Sequence, residues 1–196
     1  MKSILISTIT ILSLVGIGCS QNRTYLTERD KIWNPYKEGQ VLIFQSSNGE
    51  IDTIVITQIE DKRFPDGLGA ETNERLRVLA KLDNQSISRV PFESRFLYLA
   101  AETPKGPSKV DFEFSVGDGA FWGKYFLISE LEEYKEEYLE LPFQTFNDVI
   151  RIDENSNQVF RPYDIATLFW SKSVGYVKCE KKDGTIWELV SIVDSH

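Results

Sequence analysis

Apolar residues recur at every second position through most of this chain. The clearest run is 110–116, where Val110, Phe112, Phe114 and Val116 alternate with Asp111, Glu113 and Ser115. A second run places Leu76, Val78, Ala80 and Leu82 on one face and Arg75, Arg77 and Lys81 on the other. Period two is the signature of a strand with one face buried and one face wet. The same reading predicts strands at 41–44, 51–59, 95–101, 120–128, 145–152, 165–171, 174–180 and 185–193.

Turn residues punctuate these runs. Asn48-Gly49 lies between two apolar stretches, and both residues of a tight hairpin turn must accept positive φ. A two-residue loop there pairs Phe44 with Thr53, Ile43 with Ile54 and Val41 with Ile56. A three-residue loop would set Phe44 against Asp52, so apolar sorting favours the first register. At the other end of the chain, Lys182-Asp183-Gly184 predicts a three-residue loop with Gly184 in the left-handed position. That register pairs Cys179 with Trp187, Val177 with Leu189 and Lys178 with Glu188. Residues 61–73 read as a charged, Gly-containing loop, and Pro104, Gly106 and Pro107 break the strand that ends near Ala101.

The span 129–141 fits two patterns. Ser129-Glu130-Leu131-Glu132 resembles a capping box, and Leu131, Tyr134, Tyr138 and Leu141 make a helical stripe that ends at Pro142. Tyr138 to Leu141 also alternates like a strand. A short helix passing into a strand is the preferred reading. The whole pattern predicts an all-β, mainly antiparallel domain: a curled sheet, half-barrel or sandwich of about nine or ten strands, with at most one or two short helices.

The first 18 residues follow a different rule. A basic start, Met1-Lys2, precedes an apolar run from Ile4 to Gly18 and then the string Val15-Gly16-Ile17-Gly18-Cys19-Ser20. A charged start, a short apolar stretch and small residues before a cut describe an export signal. A cysteine just after that cut resembles the lipobox of bacterial lipoproteins. The resemblance implies that Cys19 carries a diacylglycerol and becomes the first residue of the mature chain. Ser20, rather than Asp, at the next position implies transfer to the outer membrane. The rivals are an ordinary secretory signal and a single spanning helix, but the run is shorter than the roughly 20 residues a bilayer requires. The chain thus divides into a signal peptide (1–18), a polar tether (19–40) and one β domain (41–196).

Composition narrows the function classes. Removing residues 1–18 takes away one cation, Lys2, and leaves 21 basic and 30 acidic side chains, a net charge of −9. Such a surface repels phosphate backbones and anionic head groups, which argues against nucleic acid as a partner and against direct adsorption to lipid through charge. With Cys19 acylated, Cys179 is left without an intramolecular disulfide partner and reads as a small buried hydrophobe. The one histidine is His196, the last residue, so neither a histidine triad nor a zinc site is expected.

Three constellations could carry chemistry. Asp153-Glu154-Asn155-Ser156-Asn157 has the D-x-N-x-N spacing of a calcium loop, with Asp164 at the twelfth position. Gln158 stands where that loop needs glycine, so a polar inter-strand loop is favoured and no metal is expected. Gly117, Gly119 and Gly123 lie between two strands, not at the start of a helix, and read as a hairpin turn. Acidic residues such as Glu132, Glu133, Glu136, Glu137 and Glu140 form a solvated face. Aromatic residues make up 12% of the chain. On a concave sheet such rings could line a sugar or lipid site, and Trp122 and Trp170 are the best-placed candidates. Core filling is their commoner use.

The segments 146–150, 170–178 and 183–189 are similar to the C-terminal part of β-rich lipoproteins of Gram-negative bacteria. The resemblance implies a final hairpin closing a curved antiparallel sheet, and brings no catalytic residues with it. The expected function is therefore a lipid-anchored envelope protein, monomeric and without cofactor, with a non-enzymatic binding or structural role. Its partner would be an envelope protein, a sugar or a lipid. The alternatives are a carboxylate-based, glycosidase-like hydrolase and a lipid or lipoprotein carrier.

Overall fold

The computed structural model describes residues 23–65, 72–82, 93–104, 106–117, 120–153, 159–162 and 165–194. It begins with a short strand, β1 (Arg23–Thr24), and one helical turn, α1 (Glu28–Lys31). Thr27 caps α1 in a reciprocal box: its hydroxyl accepts from the Asp30 N–H at 3.1 Å, and the Asp30 carboxylate accepts from the Thr27 N–H at 2.8 Å. Six strands follow: β2 (Val41–Ser46), β3 (Ile51–Pro65), β4 (Thr72–Leu82), β5 (Glu93–Ala100), β6 (Lys109–Val116) and β7 (Ala120–Leu127). A second helical turn, α2 (Ile128–Leu131), leads into β8 (Glu136–Glu140), β9 (Thr145–Asp153) and β10 (Val159–Pro162). The described chain closes with β11 (Ile165–Ser171), β12 (Gly175–Lys181) and β13 (Ile186–Val193).

All thirteen strands belong to one sheet, ordered β10-β7-β6-β5-β4-β3-β2-β13-β12-β11-β9-β8, with β1 alongside β4 in parallel. The other pairings are antiparallel, and the sheet curls into a half-barrel. The all-β expectation therefore holds, with more strands than expected. The surplus includes β1 and β10, whose two and four residues are too short to display an alternation.

The concave face is the core. Val110, Phe112, Phe114 and Val116 are all fully buried, as the alternation requires. Around them pack Tyr36, Phe44, Phe96, Phe126, Trp170 and Tyr176, with several ring pairs edge-on at centroid distances of 4.8–6.0 Å. Such edge contacts add to area burial, because each ring presents its positive rim to a negative face. The two halves of the curl meet where fully buried Lys124 of β7 donates its Nζ to the Asp153 carbonyl of β9 at 3.0 Å and lies over the Phe126 ring.

Four expectations need correction. At Asn48-Gly49 the loop has three residues, and Phe44 faces Asp52 while Ile43 faces Thr53. Gly49 takes a left-handed turn position at φ 86°. Apolar sorting misjudged this register because Asp52 is satisfied in the core: its carboxylate accepts from the Gly117 N–H at 2.6 Å and the Thr53 N–H at 2.8 Å. Second, residues 61–65 and 72–73 are strand rather than loop. Asp61 pairs with Leu76, Lys62 with Arg75 and Arg63 with Glu74, so a charged ladder extends the hairpin past its alternating part. Third, residues 23–40 are not a tether. Leu26, Trp33 and Tyr36 are core residues, and Trp33 is fully buried. At 128–140 the short helix leading into a strand is found, but Leu127 rather than Ser129 is the N-cap, and the Glu130 carboxylate accepts its N–H at 3.1 Å.

The pairings also give the half-barrel two ends. Turns 47–50 and 182–185 lie at one end, joined where Ser47 donates its N–H to the Ile186 carbonyl, and Gly117 is packed there against Trp187. At the opposite end, here the near end, lie β1, the segment 101–108, α2 and the turn 172–174.

Candidate functional site

A cleft of about 960 Å³ opens at the near end. Three separate pieces of chain form it: residues 23–30, residues 102–104 with 107–108, and residues 128–132. Its walls are hydroxyl-rich, with Thr24, Thr27, Thr103, Ser108 and Ser129, and they include Tyr25, Pro104 and Pro107. Ile128, two arginines, Arg23 and Arg29, and three carboxylates, Asp30, Glu102 and Glu132, complete the lining.

Two of those carboxylates hold the walls together. Asp30 is buried, caps α1, and accepts the Ser108 hydroxyl at 2.9 Å across the cleft. Glu132 takes both the Nε and an Nη of Arg29 in a forked pair, which fastens α1 to the end of α2. Below the cleft, buried Glu74 of β4 accepts from the Leu26 N–H at 3.0 Å and from the Lys31 Nζ at 2.9 Å. Burial pushes the Glu74 carboxyl up, but these donors outweigh it and hold it below the usual carboxylate range. The cleft is thus a braced, polar concavity.

The convex face carries a second group of charges. On β6, Asp111 and Glu113 point away from the core, and Arg95 of β5 bonds both. Burial raises the Asp111 carboxyl, with the Arg95 charge working against the rise. The Arg95 guanidinium also lies 5.1 Å from the Tyr98 ring centre.

The residues singled out from sequence lie elsewhere. Trp170 is fully buried, with its ring 4.7 Å from that of Phe112 and 4.8 Å from that of Tyr176, so it fills the core and presents no open face. Trp122 lies on β7, its backbone opposite Phe114 and Pro162. Trp170 therefore offers no surface for a ligand. Cys19, His196, residues 154–158 and Asp164 lie outside the described residues. Of the segment with calcium-loop spacing, Asp153 is described, and its carboxylate accepts from Thr167 and Arg151. Cys179 is a buried free thiol, and burial pushes it up to about 12.

Sequence reasoning missed the cleft. One signal was present: Thr27-x-x-Asp30 is a capping-box spacing inside the supposed tether. Among the described residues, no helix is long and apolar enough to cross a membrane. Comparison of the chain with protein-family models, curated proteins and solved structures finds no match.

Proposed function

We propose that this chain is a lipid-anchored protein of the bacterial envelope, held by an acylated Cys19, and that it acts by binding through the near-end cleft rather than by catalysis. The N-terminal signal pattern supports the anchor. The observation that carries the binding role is how the cleft carboxylates are used. Asp30 and Glu132 are committed to bonds that brace the walls, which suits a preformed recognition site better than proton transfer. Hydroxyls, Tyr25 and the two prolines suit a polar partner such as a sugar or a protein loop. The aromatic filling of the concave face leaves a carrier little room for an acyl chain.

The hydrolase alternative has its best seat at Asp111 and Glu113, but Arg95 bonds both carboxylates. Metabolic labelling with a tagged palmitate tests the anchor. Label is expected on the native chain and lost in Cys19→Ser. Absence of label on both would overturn the reading.

A further inference from the structure

We infer that the half-barrel stands end-on on the membrane, with its near end against the lipid head-group layer and turns 47–50 and 182–185 held away from it. The inference rests on the acylation of Cys19 proposed above and goes beyond it, because an anchor on a long tether would leave orientation open.

The geometry of the leash decides the matter. Arg23 is fixed in the fold, since it pairs with Thr72 of β4. Only Ser20, Gln21 and Asn22 separate it from Cys19. An extended chain covers at most ~3.6 Å per residue, so Arg23 lies within about 14 Å of the acylated residue. The polar layer of one leaflet is itself roughly 5–7 Å deep. Strand β6, running from the near end to the far end, has eight residues, which at ~3.4 Å each is about 27 Å. The far-end turns therefore stand well beyond the leash's reach when the near end is seated.

The near end also has side chains suited to that layer. Tyr25 is 44% exposed and Ile32 is 54% exposed, both within the first ten described residues. Aromatic rings with a polar tip favour the head-group level. The partner is the head-group surface of the leaflet that holds the anchor, and the cleft would draw its ligand from that layer.

Single cysteines test this in the full-length acylated protein, because Cys179 is buried. Ser129→Cys at the cleft rim and Lys182→Cys at the far turn are labelled with a fluorophore. The proteins are then reconstituted into phosphatidylcholine vesicles doped with head-group nitroxide lipid. Quenching is expected to be several-fold stronger at 129 than at 182. Pro104→Cys and Asn48→Cys form a second near and far pair, should either of the first fold poorly. Equal or reversed quenching on vesicle-bound protein would overturn the orientation and leave the anchor standing. Protein that carries no acyl group and stays off the vesicles would remove the anchor and the orientation together.

Discussion

At the scale of single residues, two glycines show how closely the core is fitted. Gly175 has φ 93°, and a Cβ there would lie 2.0 Å from the Tyr36 hydroxyl oxygen. That hydroxyl accepts the Tyr176 N–H at 2.9 Å, so a methyl group would displace a bonded, buried ring. Gly49 has a similar φ of 86° but open space around it. Gly49→Ala should cost about 1–2 kcal/mol, the left-handed penalty alone. Gly175→Ala should cost about 3–5 kcal/mol, because overpacking adds to that penalty. Urea midpoints of the two variants would check the ordering, and equal losses would refute it. Cys179 offers a second test. Its thiol, pushed up to about 12 by burial, holds almost no thiolate at neutral pH. Native protein should therefore react with a disulfide reagent at this residue only after denaturation. Rapid reaction of the folded Cys19→Ser variant would contradict the burial.

At the scale of elements, alternation made β4 and β6 readable, because each buries one face and wets the other. The 182–184 hairpin register was readable for the same reason: Cys179 faces Trp187 and Lys178 faces Glu188. Where a polar group is satisfied inside, the rule failed. Asp52 turned the 48–49 hairpin to the other register because the Gly117 N–H lies on the far side of the core. The segment 23–40 was misread for a related reason. Its anchoring groups, Leu26, Trp33 and Tyr36, are spaced without period, and the partners of Leu26 and Tyr36 lie on β4, β5, β11 and β12. Glu74 shows how strongly that segment is held. Its carboxyl is lowered in the folded state, so its stabilising effect is present above the ordinary carboxylate pKa and is lost as pH falls through the folded value. Glu74→Gln should cost about 1–2 kcal/mol at neutral pH, and the deficit should close on acidification. Thermal melts of both proteins across pH 2–7 would show this, and a constant deficit would sink the assignment.

At the scale of the whole molecule, the curled antiparallel sheet was legible and the cleft was not. A cleft assembled from residues 23–30, 102–104 with 107–108, and 128–132 exists only once the near-end turns are brought together, and no local pattern in any one piece announces it. Aromatic residues drew attention to Trp170, but rings that fill a concave face and rings that line a pocket share the same alternation. The packed N-terminal segment also changes the architecture of attachment. With residues 23–40 built into the domain, the anchor proposed above would have a leash of three residues and would orient the molecule.

The mass of the mature N-terminal peptide, measured on protein taken from the membranes of an exporting bacterium, tests the account most directly. The account predicts a peptide that begins at Cys19 and carries the mass of attached acyl chains. A peptide that begins elsewhere, or one that contains Cys19 as an unmodified thiol, would contradict it.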